Sequence, residues 1–490
     1  MILRARALSA GLLAWSLQSD PAGADEPRPD TPAAPSEEPR PDTPAAPSEE
    51  RPAPEPAAPE PPKVTPAEAP APNDSKRQLP DYDGRGGTPQ TPGQKALWVP
   101  RILLSPLYFV SEFVIRRPLG FAITAAEKAE LPAALYDFFA FGPDHKSGIV
   151  PYAFINFGFE PIFGLYAFWD DAGFEGHDLR LRGQTSGAHS LTASVVERFH
   201  LTSTWDLTLT ATATRRPDYT FYGIGWDARE EDLLRYASDT IDAHMETRWT
   251  LGESLVEIFS GYRSATFADT EYDRESVHDA IAGGKIAAPP GYADGYQAPF
   301  VGSRVVFDSR KPGGSNTGVR LDLGGEQGTD FRNSPTSAWI RYGASVGALY
   351  DLTDGGRVVS LSLTTLFADP IGDRDVPFTE LIELGGPRLM PGFRDSRLVD
   401  SSAAVLTLRY SWPIWIWLNG SLQAAVGNVY GKHLEDFSLE RSRFSGAVGI
   451  ESHDSRDAIF QALLGVGTEP FVSGAQLNSI RFTIGARRGF

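Results

Sequence analysis

The chain has 490 residues, no cysteine and a formal net charge of −18. The lack of cysteine excludes disulfides, thiolate metal sites, a lipoprotein anchor and a cysteine nucleophile. The acidic balance, with no basic cluster dense enough to neutralise phosphates, argues against nucleic acid as a partner.

Residues 1–24 predict a secretory signal peptide. Arg4 and Arg6 precede the apolar run ALSAGLLAWSL, and the small residues Ala22–Ala24 form the expected cleavage site. No later apolar run reaches the length of about 18 residues that a membrane-spanning helix needs. If the chain lies in a membrane, we therefore expect it to cross as a β-barrel.

Residues 25–94 predict a disordered periplasmic linker. The segment is rich in Pro, Ala and Glu, and it repeats EPRPDTPAAPSE at 26–37 and 38–49. Such a composition cannot bury a core and favours polyproline II conformations. Extended at about 3.1 Å per residue, it would reach on the order of 200 Å. It could therefore contact peptidoglycan or a partner, although a passive spacer explains the same composition.

Residues 95–146 predict a short periplasmic helical segment. Pro100, Pro106, Pro118 and Pro132 divide it into short helices. Its apolar side chains need a surface to cover, either the periplasmic mouth of a barrel or the lipid interface. We expect packing on the barrel mouth.

Residues 147–490 predict an all-β domain, a 16-stranded antiparallel transmembrane barrel. Apolar and polar residues alternate with the period of a strand, a pattern that a soluble sandwich also shows. The predicted strands lie near residues 148–157, 160–170, 178–186, 189–199, 203–214, 238–251, 254–268, 295–309, 317–327, 336–351, 357–369, 401–412, 418–430, 442–453, 457–468 and 479–490.

The connections between the predicted strands separate a barrel from a sandwich. With the C-terminus in the periplasm, every second connection is long and would be extracellular, among them 215–237, 269–294 and 370–400. The periplasmic connections between them are tight, and the shortest is 252–253. Long loops on one side and tight turns on the other are typical of bacterial outer-membrane barrels.

The last predicted strand alternates to the end of the sequence, and its apolar face includes Phe482, Ile484 and Phe490. It resembles the C-terminal recognition signal of bacterial outer-membrane barrels, although an ordinary half-buried strand shows the same alternation. The resemblance implies an outer-membrane location, with lipid and lipopolysaccharide around the barrel. It also implies recognition by the outer-membrane assembly machinery.

Several motifs in order resemble the BamA/TamA superfamily of assembly and translocation barrels, the bacterial surface antigens. They are FYGIG at 221–225, FDSRKPGG at 307–314, LGGPRLMPGFRDSRLVD at 384–400, VLTLRYSWPI at 405–414 and AAVGNVYG at 424–431. The resemblance covers about residues 148–490. It implies a sixth extracellular loop that folds back into the lumen, and client outer-membrane proteins that enter through a lateral seam.

The sequence departs from that family at a pair of positions. Pro391 stands where the family has Arg, and Ala425 stands where it has Asp. In the family these two side chains hold the loop inside the lumen, so we expect another attachment. Arg388, Arg394 or Arg397 could supply it, against an acidic residue of the lumen wall. The loop motif expected to matter comprises Gly385, Gly386, Arg388, Pro391, Gly392, Phe393, Arg394 and Arg397.

A second departure concerns the region before the barrel. Assembly members of the family carry periplasmic polypeptide-transport-associated domains, and residues 95–146 are too short for one and lack its strands. Inheritance of the assembly function is therefore in question.

We predict no enzyme activity, no catalytic residue, no cofactor and no metal site. Neighbouring residues of a strand point to opposite faces, so Ser452, His453 and Asp454 cannot form a catalytic relay. The histidines show no spacing suited to a metal.

Two functional hypotheses remain. In the first, a weak seam between the first and last strands accepts an incoming strand. Pro151 in the first strand fits this, because proline lacks an amide donor and is tolerated at an edge, although it is equally compatible with an early strand end. In the second, the barrel is a passive pore or a structural element of the outer membrane.

Overall fold

The computed structural model describes Phe121 and residues 138–490, except 157–158, 271–274, 311–315, 334–336, 388, 416–417, 453–457 and 489–490. The predicted signal peptide, the predicted linker and most of the predicted helical segment lie outside the described residues, as do Arg388 and Phe490. No helix in the described part of the chain is long and apolar enough to cross a membrane.

The described chain is mostly β-structure. Its strands are β1 (Ala140–Phe141), β2 (Ser147–Asn156), β3 (Ile162–Trp169), β4 (His177–Thr185), β5 (Leu191–Thr202), β6 (Trp205–Phe221), β7 (Leu234–Leu251), β8 (Ser254–Ala268), β9 (Tyr296–Asp308), β10 (Gly318–Asp330), β11 (Ser337–Asp351), β12 (Val358–Ile371), β13 (Ile382–Leu384), β14 (Leu398–Asp400), β15 (Ser402–Trp415), β16 (Leu418–Tyr430), β17 (Arg443–Ser452), β18 (Ala458–Thr468) and β19 (Leu477–Arg488). One short helix, α1 (Val277–Ala282), and several single-turn 3₁₀ helices lie in the connections.

Sixteen of these strands, β2–β12 and β15–β19, form a closed antiparallel barrel. Each strand pairs with the next barrel strand along the chain, and β19 pairs with β2 to close the sheet. The predicted fold class is therefore confirmed. Closure satisfies the backbone hydrogen bonds of nearly every strand edge, as a bilayer requires.

Alternation along the strands separates an apolar outer face from the lumen. On β12, Leu361 and Leu363 point outward and are 49% and 45% exposed, whereas Thr364 and Leu366 point inward and are buried. The other barrel strands also expose large apolar side chains on the outer face, for example Val301, Val305 and Leu406. An outer face of this kind matches lipid hydrocarbon, so the barrel is a transmembrane one.

Strands β6 and β7 are longer than predicted. The sequence predicted a strand end near residue 214 and a loop over 215–237, but β6 continues to Phe221 and β7 begins at Leu234. The ladder between them shifts register between Arg216 and Tyr219, where Pro217 lies. A bulge accommodates the proline, which cannot donate to the ladder. The loop is therefore 222–233, which we call the mouth loop.

Residues 372–401 form the longest connection, which we call the lumen loop. It contains a 3₁₀ turn at Phe378–Glu380 and the small hairpin β13–β14. Phe378 packs with Phe221, Tyr236 and Tyr292 in an aromatic cluster at the long-loop end of the barrel. The two loops and α1 thus cover this end.

Candidate functional site in the lumen loop and at the seam

The lumen loop folds into the barrel and packs on an apolar part of its wall. Five of its side chains and six inward-facing residues of the wall form one buried cluster. The loop contributes Ile382, Leu384, Met390, Phe393 and Leu398, and strands β12, β15 and β16 contribute Leu366, Ala368, Ala403, Val405, Ala425 and Val429. Ala425 is 1% exposed beneath the loop. An ionised Asp at this position would have no solvent, so alanine here belongs to an apolar seat for the loop.

The tip of the lumen loop rests backbone to backbone against β18. A Cβ atom on Gly392 would collide with the carbonyl oxygen of Val466, and one on Gly465 would collide with the carbonyl oxygen of Pro391. The amide nitrogen of Gly392 donates to Ser445 Oγ at 2.8 Å. Close approach of glycine backbones therefore occupies the position where the resembled family has an ion pair.

Two arginines of the lumen loop, Arg394 and Arg397, reach the mouth loop. Arg397 is 1% exposed; its Nε donates to Glu230 Oε2 at 3.0 Å and its Nη2 to the carbonyl oxygen of Ala228 at 3.0 Å. Its guanidinium lies 4.5 Å from the centre of the Tyr222 ring, and Arg394 lies 4.0 Å from Glu230. The loop arginines thus contact Tyr222 of the FYGIG motif and Glu230, which follows the motif.

The mouth loop is also hydrogen-bonded to strands β16 and β17 of the barrel wall. Arg443 of β17 donates to the carbonyl oxygens of Ala228 and Trp226 at 2.8 and 3.2 Å, and to Glu469 Oε2 at 3.0 Å. Asn428 of β16 donates to the Trp226 carbonyl oxygen at 3.0 Å. The mouth loop connects β6 and β7, and these hydrogen bonds join it to β16 and β17 on another part of the barrel wall. The mouth loop is also bonded to Arg397 of the lumen loop, so the two loops extend across the barrel mouth together.

A buried ion cluster attaches the other side of the lumen loop to the wall. Glu380 is 2% exposed; its Oε2 accepts from Arg263 Nη1 at 2.8 Å and Arg341 Nη1 at 3.3 Å, and its Oε1 accepts from the Tyr296 hydroxyl at 2.5 Å. Arg263 also pairs with Glu326, at 3.1 Å. In this cluster the loop supplies the acid and the wall supplies the arginines. The sequence had led us to expect the opposite arrangement, a loop arginine against an acid of the wall.

Sequence reasoning missed Glu380 because its partners are distant in the chain. Arg263 and Arg341 precede it by 117 and 39 residues and lie on different strands. The sequence around Glu380, with Glu383 three residues later, resembles that of many exposed loops.

The hairpin of the lumen loop holds a carboxyl group that titrates near neutrality. Burial raises the pKa of Glu383 to about 7, against the opposing effect of a hydrogen bond from Ser396 Oγ at 2.6 Å. The loop therefore carries one group whose charge changes near neutral pH. Gly385 and Gly386, which follow β13, have φ angles of +130° and +72°, where side chains are strained.

Between the described residues, the seam between β19 and β2 has the shortest ladder of the barrel. Its pairs are Thr483 with Asn156, Ile484 with Ile155, and Gly485 with Phe154. On its other edge, β19 pairs with β18 from Leu477 to Arg488. Of the predicted signal residues, Ile484 lies in the seam ladder, and Phe482 is next to Thr483 of that ladder and is 36% exposed.

Pro151 lies inside the first barrel strand. It pairs with Leu165 of β3, and β2 continues past it to Asn156. The structure thus places the proline in the interior of the strand that forms one side of the seam, five residues before its end.

Within the described residues, no group of three or more His, Cys, Asp or Glu side chains is arranged to hold a metal ion. Ser452 ends β17, and His453 and Asp454 lie outside the described residues. The chemistry that this arrangement supports is noncovalent: backbone pairing at the seam and docking of a loop in the lumen.

No protein-family profile matches the sequence, and no curated protein matches it. Among solved structures, the chain is similar to BamA from Haemophilus ducreyi lacking POTRA domains 1-3, with 13% identity and a TM-score of 0.48 over 70% of each chain. It is also similar to CdiB from Acinetobacter baumannii, with 11% identity and a TM-score of 0.44 over 70% of this chain and 60% of CdiB. A third similar structure is OmpT of Vibrio cholerae, with 10% identity and a TM-score of 0.31 over 71% of this chain and 99% of that one.

Proposed function

We propose that this chain is a bacterial outer-membrane barrel that assists the insertion or translocation of other outer-membrane proteins through the seam between β2 and β19. The observation that carries the proposal is the brevity of the seam ladder, which among the described residues comprises the pairs from Thr483–Asn156 to Gly485–Phe154 and does not continue to Ala486 and Ala153. The adjacent ladder between β18 and β19 extends from Ala458–Arg488 to Thr468–Leu477.

The energetics of strand pairing favour opening at this place. Each cross-strand pair contributes about 0.2–1 kcal/mol, so the three described pairs of the seam contribute about 0.6–3 kcal/mol. An opened seam presents the backbone donors and acceptors of β2 and β19, and an incoming strand can pair with them by β-augmentation. This function needs no cofactor and no catalytic residue.

The proposed partners follow from the location. Lipid and lipopolysaccharide surround the apolar outer face, and the assembly machinery recognises β19 while this barrel itself is inserted. Client outer-membrane proteins would arrive from the periplasm, which the short-turn end of the barrel would face. The Pro-rich segment 25–94 would extend toward peptidoglycan.

The alternative is a barrel without assembly activity, either a passive pore or a structural element. The docked lumen loop favours a structural element over an open pore, because its apolar cluster and the Glu380 ion cluster occupy the lumen. A stable conductance from the purified protein would favour the pore.

Depletion of the protein, followed by quantitative profiling of outer-membrane proteins, tests the proposal. We expect a general or client-specific loss of barrel proteins and no stable conductance from the purified protein in planar bilayers. An unchanged profile would contradict the assembly function.

A further inference from the structure

The mouth loop joins the two sides of the barrel that meet at the seam. It leaves β6 and returns to β7, and its backbone carbonyl groups accept hydrogen bonds from Asn428 of β16 and Arg443 of β17. Along the sheet, β18, β19 and β2–β5 lie between these attachments, and the seam between β19 and β2 is among them. The mouth loop therefore spans the part of the barrel that contains the seam.

Hydrogen bonds and a ring contact attach the mouth loop to β17. Arg443 is fully buried, and its Nη2 donates to the carbonyl oxygens of Ala228 and Trp226 at 2.8 and 3.2 Å. The centre of the Trp226 ring lies 4.8 Å from Arg441 Cζ, in the connection that precedes β17. Because a buried guanidinium needs acceptors for its donors, the mouth loop and Arg443 stabilise each other in the attached position.

The same arginine reaches the last strand. Arg443 Nη1 donates to Glu469 Oε2 at 3.0 Å, in the connection between β18 and β19. Glu469 Oε1 in turn accepts a hydrogen bond from the side-chain amide of Asn478, the second residue of β19. Arg443 therefore joins the mouth loop to the strand on one side of the seam.

An aromatic ring joins the base of the mouth loop to the strand on the other side of the seam. The centre of the Phe159 ring lies 4.8 Å from Arg216 Cζ and 5.7 Å from Arg235 Cζ. These arginines are in β6 and β7, the two strands that the mouth loop connects. Phe159 follows Asn156, the last residue of β2, by three positions, which span at most about 11 Å. An outward movement of the end of β2 therefore has to withdraw the ring from the two arginines.

The two arginines are held in place by one residue. The carboxylate of Asp218 pairs with Arg216, and the carbonyl oxygen of Asp218 accepts from Arg235 Nη1 at 2.8 Å. Arg235 is 4% exposed, and a guanidinium near the face of an aromatic ring attracts it more strongly when water is excluded. The Phe159 ring thus packs against a fixed pair of cations.

We propose that the mouth loop holds the long-loop end of the seam closed, with Arg443 as its attachment on the β19 side and Phe159 as its attachment on the β2 side. Loss of either attachment raises the population of the open seam. This regulatory role rests on the proposed function, because a client strand would enter only through an open seam. The attachments themselves do not depend on that function.

Hydrogen exchange of backbone amides in the purified full chain measures the opening, because the amides of a ladder exchange when the ladder opens. The readout is the exchange of residues 154–156 and 483–485, the described seam ladder, and the reference is the β11–β12 ladder. Arg443→Met removes the donors of one attachment, and Phe159→Ala removes the ring of the other. Arg409→Met is the matched control, because Arg409 is another arginine of the wall and pairs with Glu451.

We expect Arg443→Met to raise the exchange rate of the seam amides at least tenfold and Phe159→Ala to raise it at least threefold. The reference ladder should not change, and Arg409→Met should affect neither ladder. Phe159→Tyr keeps the aromatic face and should stay within twofold of the parent, whereas Phe159→Leu lacks that face and should behave like Phe159→Ala. The Phe159 variants alter a partly exposed side chain, so they keep the test decisive if Arg443→Met fails to fold.

Unchanged seam exchange in folded Arg443→Met or in Phe159→Ala would overturn the proposal. So would an equal rise in the β11–β12 ladder, or a Phe159→Tyr variant that exchanges as fast as Phe159→Ala. An unchanged outer-membrane profile after depletion would contradict the assembly function and leave the exchange results intact, so the two failures are distinguishable.

Discussion

Neutralising Glu380 should release the lumen loop. The Glu380→Gln substitution keeps the size of the side chain but removes the charge that accepts hydrogen bonds from Arg263 and Arg341. Loss of one partner of a buried ion pair costs about 3–5 kcal/mol. Arg263 keeps Asp242 and Glu326 as partners, so we expect the lower end, about 3 kcal/mol. That corresponds to a roughly hundredfold increase in the undocked population.

Limited proteolysis with trypsin measures that population. Arg394 and Arg397 are cleavage sites within the lumen loop, and Arg397 is 1% exposed when the loop is docked. When opening is fast relative to cleavage, the cleavage rate follows the open population. We therefore expect Glu380→Gln to increase the cleavage rate by about a hundredfold. Heat-dependent migration on gels should show that the barrel itself stays folded.

Glu231→Gln is the matched control. Glu231 pairs with Arg229 on the exposed surface of the mouth loop, and surface pairs of this kind contribute little to stability. A cleavage rate in Glu380→Gln within twofold of the rate in Glu231→Gln would refute the attachment. Arg341→Met combined with Glu380→Gln adds a second check: if the two side chains act together, the double variant should be cleaved less than the product of the single effects predicts.

Three further predictions use the same proteolysis assay. Gly392→Ala should increase cleavage of the lumen loop about tenfold or more, because the new methyl group displaces the loop tip from Val466. Gly183→Ala is the control and should have no effect, because its Cβ atom would meet no atom within 4 Å. Arg397→Ala should increase cleavage at Arg394 about tenfold, whereas Arg394→Ala should change cleavage at Arg397 far less, because the Arg394 side chain is 20% exposed and lies 4.0 Å from Glu230. Equal effects of the two substitutions would contradict the assignment. Burial raises the pKa of Glu383 from 4.5 to about 7, so between these pH values the docked loop binds more protons than the undocked loop. Protection of the loop against trypsin should therefore fall as the pH rises from 5 to 8. Glu383→Gln should abolish this pH dependence, and a dependence that persists in the variant would rule out Glu383 as its source.

The sequence predicted the barrel well because its signals are local. Alternation within a strand and tight turns between strands depend on residues close in the chain, so the predicted strand at 418–430 matches β16. The predicted end of β6 near residue 214 was wrong, because the strand continues to Phe221 past a bulge at Pro217, and a proline within a strand pattern does not distinguish a bulge from a strand end. A strand of two residues such as β1 has no periodicity to detect.

The attachment of the lumen loop was only partly predictable. The motifs indicated a loop inside the lumen and an attachment different from that of the resembled family. The contacts of Glu380 with Arg263, and of Gly392 with Val466, depend on which strands the closed barrel brings together. Such contacts cannot be predicted from the spacing of residues in the sequence, because the partners are far apart in the chain. The partner of Arg397 was expected on the wall, but the structure places it at Glu230 of the mouth loop.

A reversible lock across the seam tests the central claim most directly. Ile155→Cys with Ile484→Cys would join the paired residues of β2 and β19, and Ala348→Cys with Leu361→Cys would join two paired residues of β11 and β12 as a control. In cells depleted of the native protein, we predict that the oxidised seam lock fails to restore the outer-membrane protein profile, that reduction restores it, and that the control lock supports a normal profile. A normal profile with the seam fully cross-linked would contradict the proposal that this barrel acts through its seam.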